Sequence, residues 1–207
     1  MPQEYSNGIG DLTCAGFLDA LASTAPTPGG GAVAGMTGAT AAALGEMVAG
    51  YSLGRSEDAS VEESIQTIKS ELSRARQVFL RLADEDAAAY AVLNAAFKKP
   101  KSDPDRKDAI RAGAAAAIQP PLATFATAGD VLRLLERLLP ISNKNLGSDL
   151  GIAANLAHAS ASAAYWNIEA NAPLLGDEGA SILKSGGDQM QEICRRSGMI
   201  ETGCMQR

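Results

Sequence analysis

Four groups of residues in this chain have the types and spacing to do chemistry. The first is the string Pro26-Thr27-Pro28-Gly29-Gly30-Gly31, which opens a long run of small residues. A glycine-rich turn that leads into a helix leaves backbone N–H groups free, with the positive end of the helix dipole behind them. Such a turn can seat a carboxylate or a polar heterocycle, and it can equally be a tight turn between two helices. No Lys-Ser/Thr pair follows the glycines, so it is not a nucleotide-binding P-loop. The second group is Asp84-Glu85-Asp86 with Tyr90. Three consecutive acids cannot share one helix face, whereas Asp86 and Tyr90, one turn apart, do. A carboxylate turned into an apolar site gains the raised pKa that a general acid or base needs; one turned to water is a solvated patch.

The third group is Ser148-Asp149 with Asn167 and Asn171, and the polar residue Asn143 just before them. Asp149 and Asn167 fall on one side of a helix but about 27 Å apart along its axis. They serve opposite ends of a long ligand, or a second subunit brings them together. The plainer reading makes Asp149 a first-turn partner of the helix dipole and leaves the two amides bonded to their own backbone. The fourth is His158, the single histidine, which has no Ser or Cys partner in sight and reads first as a structural or exposed side chain.

The elements that must position these groups are helices. Of the 207 residues 46% are hydrophobic but only 4% aromatic, and alanine and leucine dominate, a composition for helices packed closely through small side chains. A first helix is expected from about Thr13 to Ser23. A second runs from the glycine turn to about Leu53, with Gly31, Gly35, Gly38, Ala42 and Gly45 as a smooth strip. Each mid-helix glycine costs about 1 kcal/mol relative to alanine, which calls for a return in tight packing or ligand room. Ile65, Ile68, Leu72, Ala75, Phe79 and Leu82 alternate spacings of three and four, the stripe of one long helix over about Ser60 to Phe97. Asp103-Pro104 starts another helix, and Pro120-Pro121 interrupts it before it resumes to about Leu139. Ser148 caps a helix reaching Asn171, and a last helix covers about Glu178 to Arg196 with a break near Gly186-Gly187. The expected fold is all-α, one domain of about six helices over residues 1–207 with frayed tails at about 1–11 and 198–207.

Composition also bounds the partners. The formal net charge is −6 and no long basic run appears, so neither nucleic acid nor an anionic membrane is expected. The charge-free stretch from Gly29 to Gly45 is broken by Glu46 before roughly 20 apolar residues accumulate, and it reads as a buried helix rather than a membrane span. Three scattered cysteines lack metal-ligand spacing, so no metal is expected and a reducing, cytoplasmic compartment fits. Met1 to Asp11 has neither a basic start nor an apolar run, so no signal peptide is expected.

Taken in order, these pieces resemble the cyclodeaminase/cyclohydrolase family. It includes the C-terminal domain of formiminotransferase-cyclodeaminase and stand-alone bacterial methenyltetrahydrofolate cyclohydrolases. The resemblance is carried by Phe17-Leu18, Ala22-Ser23, the Pro26 to Gly31 string with its small-residue helix to Ala43-Leu44-Gly45 and Met47-Val48, and Asp86-Ala87 with Ala89-Tyr90. It continues through Pro100-Lys101, Pro121-Leu122, Asn143, Ser148-Asp149-Leu150, Ala153-Ala154, and Asn167-Ile168 with Asn171, and is weakest after Leu175. It implies an all-helical homodimer with a folate site near the subunit interface, and no cofactor beyond the tetrahydrofolate substrate. One reaction it implies is addition of water to the 5,10-methenyl bridge of tetrahydrofolate; the other is closure of 5-formiminotetrahydrofolate with loss of ammonia. Both pass through a tetrahedral carbon between two nitrogens and need a carboxylate to move protons. On the resemblance, Asp149 or Asp86 is the proton carrier and Asn143, Asn167 and Asn171 grip the pterin edge. Pro28, Gly29, Gly30 and Gly31 line the pocket, Tyr90 and Ser148 also touch substrate, and Lys98 and Lys101 meet the glutamate tail. The apparent lack of a formiminotransferase domain, which would channel substrate to a cyclodeaminase, favours the cyclohydrolase. A module that only dimerises is the other reading: it predicts no pocket, with Asp86, Asn143, Asp149 and Asn171 exposed or bonded singly to backbone, where an enzyme brings several of them to one cavity.

Overall fold

The computed structural model describes residues 8–206; the expected frayed start at 1–7 and the signal-peptide reading of those positions lie outside them. Seven α-helices account for most of the described chain, with no strand among these residues. Helix α1 (Cys14–Leu21) begins where expected, because the Thr13 hydroxyl accepts from the Gly16 N–H at 3.0 Å. Of its expected apolar side, Phe17 is buried but Leu18 faces water. Helix α2 (Gly30–Gly50) follows the proline-glycine turn, and α3 (Ala59–Lys98) is a single rod of 40 residues, about 60 Å long. Asp58 starts α3 by accepting the Ser60 N–H at 2.9 Å, and Ile65, Ile68, Leu72, Phe79 and Leu82 are its buried stripe.

The helix expected at Asp103-Pro104 begins later. Asp103 bonds the Asp105 N–H and the Lys99 ammonium within a turn, and α4 (Arg106–Ala117) starts after it. Pro120 and Pro121 occupy the first turn of α5 (Gln119–Leu138), where a missing N–H costs nothing, so the interruption falls as expected. The polar loop that follows contains two 3-10 turns, Leu139–Ile141 and Lys144–Leu146. Helix α6 (Gly147–Asn171) then starts one residue before Ser148, whose side chain makes no cap bond. Helix α7 (Asp177–Met205) corrects two expectations at once. It runs unbroken through Gly186-Gly187, because the Tyr165 ring fills the space a Cβ at Gly186 would need, and it extends past residue 198, because Ile200 is fully buried.

Helix α2 is the centre of the fold, packed between α3 and α6. On length and hydropathy it could cross a membrane, but most of it is buried inside the bundle, the position of a core helix. It lies antiparallel to α6: Gly30 adjoins Asn167, the Ser160 hydroxyl donates to the Ala34 carbonyl at 2.8 Å, and Ser52 accepts the Asn143 N–H at 2.9 Å. The glycine strip gives the close approach that the sequence called for. A Cβ on Gly38 would come within 2.5 Å of the Phe79 ring, one on Gly45 within 2.6 Å of Leu135, and one on Gly35 within 2.9 Å of the Phe79 carbonyl. Burying the Phe79 ring against bare backbone returns about 2–3 kcal/mol, which offsets the helix cost of two or three glycines.

Candidate active site

The start of α2, the latter half of α3 and the end of α6 meet around a small cavity of about 270 Å³, lined by Pro26, Thr27, Gly29, Gly30, Gly31, Asp86, Tyr90, Ala117, Asn167 and Asn171. The three acids on α3 separate as one helix turn requires. Asp84 accepts the Ile9 N–H of the 3-10 turn Ile9–Asp11, which holds residues 9–11 down rather than leaving them frayed; Glu85 faces water; Asp86 points into the cavity. No hydrogen-bond donor among the described residues reaches the Asp86 carboxylate, and burial alone pushes its pKa from 3.8 up to about 6. The group is thus half-protonated near pH 6 and still about one-tenth protonated at pH 7, a pKa close enough to neutrality for both taking and returning a proton.

The opposite wall belongs to α6. The Asn167 amide NH₂ donates to the Ala163 carbonyl at 2.9 Å and that of Asn171 donates to the Asn167 carbonyl at 3.1 Å. Because each partner is a carbonyl, the nitrogen end of each amide must face the helix, which leaves the two Oδ1 atoms free as acceptors. The backbone bonds of the plainer reading are therefore present, and they also orient the amides. Asp86 carries the only formal charge among the lining residues, so the cavity offers acceptors and negative charge to a group that is cationic or rich in N–H.

The expected site residues divide into two sets. Gly29, Gly30, Gly31, Asp86, Tyr90, Asn167 and Asn171 converge on this cavity, and Pro28 is buried beside them without lining it. Asn143, Ser148 and Asp149 stand at the far end of α6. Asn143 is held by structure, its N–H on Ser52 and its Oδ1 on the Asn145 N–H, at the edge of a separate cavity of about 350 Å³. Ser148 is exposed and Asp149 half-buried, so within one chain neither joins Asp86. His158 is half-buried outside the cavity; Lys98 and Lys101 are exposed and do not line it. Among the described residues no cluster of His, Cys, Asp and Glu could hold a metal ion. Pro26 and Thr27, the first two residues of the string singled out in the sequence, line it as well, and one lining residue was missed: Ala117, an alanine among many that nothing in the sequence distinguishes.

A helical bundle that buries one unpaired carboxylate opposite two oriented amides is built as a small-molecule enzyme site rather than a dimerisation surface. Comparison with known proteins gives that class a family. Residues 13–182 match the formiminotransferase-cyclodeaminase family, and the chain belongs to it. It is 33% identical over 172 residues to the methenyltetrahydrofolate cyclohydrolase of Methylorubrum extorquens, a match covering 81% of this chain and 83% of that protein. It is 28% identical over 172 residues to the formimidoyltransferase-cyclodeaminase of Mus musculus, where the match covers 81% of this chain but 32% of the mouse protein. The crystal structure of formiminotetrahydrofolate cyclodeaminase from Thermotoga maritima superposes with a TM-score of 0.83 at 28% identity, over 95% of this chain and 99% of that one.

Proposed function

We propose that this protein is a methenyltetrahydrofolate cyclohydrolase, opening the 5,10-methenyl bridge of tetrahydrofolate with water to give 10-formyltetrahydrofolate. The observation that carries the reading is Asp86, a carboxylate with a pKa near 6 in a cavity lined by acceptors. The methenyl group is a cationic amidinium, and a carboxylate with two amide oxygens around it favours that charge. In the first step Asp86 takes a proton from water as the water oxygen bonds to the bridge carbon, giving a neutral tetrahedral carbinol. In the second, Asp86 returns its proton to N5 while the C–N5 bond breaks and the carbinol hydroxyl loses its proton to form the formyl C=O. The net products are the N10-formyl compound and one proton. A pKa midway between acid and base suits a group used in both directions.

The same geometry supports a second reading. The family likeness to the Thermotoga and mouse proteins favours a cyclodeaminase, in which N10 attacks a formimino carbon and ammonia leaves from the same tetrahedral centre. Loss of the methenyl chromophore in the presence of purified protein, measured by absorbance against the uncatalysed rate, decides between them. Acceleration supports the hydrolase. No acceleration, with ammonia released from 5-formiminotetrahydrofolate, replaces it with the deaminase.

The proposal includes a cytoplasmic homodimer that needs no cofactor beyond the folate itself and binds neither nucleic acid nor membrane. A surface for the second copy is available on α6, where the outward positions Ser148, Ile152, Asn155, Ala159 and Trp166 carry no charge, and Ile152 and Trp166 are 50% and 72% exposed. Ile152 and Trp166 lie seven residues on either side of Ala159. An antiparallel pairing of two α6 helices about Ala159 sets each Trp166 on the other copy's Ile152. It also brings Asp149 of one copy level with the stretch between Asn167 and Asn171 of the other, joining the two sets of site residues that one chain keeps apart.

A further inference from the structure

The glycines at the start of α2 have so far served as pocket lining, yet Gly31 stands in a different relation to the site from its neighbours. A Cβ at Gly29 would meet nothing within 4 Å, and one at Gly30 would meet the Asn167 amide at ordinary contact distance, 3.6–3.7 Å. Built on Gly31, it would overlap all three atoms of the Asp86 carboxyl group. Further along the strip the space beside each glycine is filled by hydrocarbon or backbone: Phe79 at Gly38, Leu135 at Gly45, and the Phe79 carbonyl and Ala83 at Gly35. Gly31 alone in the strip gives its space to an ionisable group.

We propose that Gly31 is the positioning residue for Asp86: its missing side chain is the socket in which the carboxylate lies against α2, buried and without a donor. This rests on the reading of Asp86 as the proton carrier. With any side chain at position 31 the carboxyl group must rotate out toward the cavity mouth and water. Apart from burial, the surroundings supply one influence on its protonation, the positive end of the α2 dipole, which opposes the rise. Helix α2 presents uncharged backbone there, α6 presents the Asn167 and Asn171 amides, and α4 presents Ala117; Tyr90 is the other titratable lining residue. On its own helix Asp84 is turned to the Ile9 N–H and Glu85 faces water, while Glu169 of α6 is exposed. The position of the carboxylate relative to water is therefore what Gly31 controls.

The test is a ¹³C carboxyl NMR titration of the whole protein, with the Asp86 signal assigned by its loss in Asp86→Asn. The wild-type signal should titrate near 6, and in Gly31→Ala the midpoint should fall toward 3.8. In parallel, the acid limb of the cyclohydrolase pH–rate profile should move down with it, with kcat reduced more than KM is raised. A Gly31→Ala midpoint that stays near 6 overturns the proposal and leaves Asp86 as the base. A midpoint that falls while turnover and its pH profile are unchanged keeps Gly31 as the socket and overturns the catalytic role of Asp86. If Gly31→Ala alone folds too poorly to titrate, the pair Gly31→Ala/Asp86→Ala decides. Removing the carboxyl group must restore folding if overlap with Asp86 is what the added methyl costs, and a pair as unstable as the single variant overturns the proposal.

Discussion

Replacing Asp86 by Asn should make the protein more resistant to acid-to-neutral loss of stability while removing its activity, and the size of the stability effect follows from the site. The folded-state pKa is raised, from 3.8 to about 6. Below pH 4 the carboxyl group is protonated in both folded and unfolded chains and contributes no pH dependence. Between about 4 and 6 the unfolded chain ionises while the folded one holds its proton, so stability falls as pH rises, and above about 6 the loss is complete. At 1.36 kcal/mol per pKa unit the ceiling is about 3 kcal/mol. Asp86 is half-buried rather than sealed, so screening by water brings the expected loss to about 1–2 kcal/mol. The amide of the Asp86→Asn variant does not titrate, and whatever it costs in the pocket is independent of pH. Urea unfolding at a series of pH values from 4 to 8, with the wild-type midpoint subtracted from that of Asp86→Asn, isolates this group because all other carboxylates cancel. With a slope of roughly 2 kcal/mol per molar, the difference should grow by about 0.5–1 M across the window. A difference that stays flat from pH 4 to 8 would show that the carboxylate is not held in the raised state, and the proton-carrier argument would fall with it.

Turnover of Asp86→Asn should fall by about 10²- to 10⁴-fold, and the wild-type rate should drop as pH goes below about 6, because the base is then protonated; a stopped absorbance assay across pH 5–9 reads both. Replacing Asn171 by Leu removes an amide dipole from beside the cation but leaves the fold intact, and should raise the KM for the cationic substrate by about tenfold, the worth of one ion–dipole contact. Trp166→Glu should give a monomer by light scattering, and a mixture of inactive Asp149→Asn and Asp86→Asn proteins should regain part of the activity; full activity of the Asp149→Asn homodimer would remove Asp149 from the site. Gly38→Ala should destabilise by about 1–3 kcal/mol in urea without changing the pH profile, since its methyl would strike Phe79 and not the carboxylate.

The helices were legible because their signals are local. Spacings of three and four marked the α3 stripe, and Thr13 and the Pro120-Pro121 pair marked boundaries that the structure keeps. The misses also have physical causes. Gly186-Gly187 looked like a break because glycine is a poor helix former, but the Tyr165 ring on a neighbouring helix needs that space, a requirement invisible in the local sequence. Asp103-Pro104 looked like a helix start, and a turn held by Lys99 displaced it to Arg106. Within the site, helix geometry alone left open which of Asp84-Glu85-Asp86 points inward, and it was the resemblance that named Asp86. The choice is made by the register of α3 against α2 and against Ile9, contacts that span 55 and 75 positions along the chain.

Register also explains why a bundle of small-residue helices can hold a buried, unpaired acid at all. A carboxylate on a packed helix ordinarily faces water, because an unpaired charge in the core costs more than a bundle of this size can spare. Here the same device that lets α2 and α3 approach closely is used twice along one strip. At Gly35, Gly38 and Gly45 the missing side chains admit apolar groups and backbone and return packing energy. One helical turn nearer the α2 start, at Gly31, the same omission admits Asp86, and the energy goes into raising its pKa instead. The amides on α6 complete the arrangement without relieving it. Each NH₂ group gives a hydrogen to the helix and neither reaches Asp86, so the amides do not draw its pKa back down. The stable part of the strip therefore supports the costly part, and the acid stays poised until a cationic substrate supplies the charge it lacks.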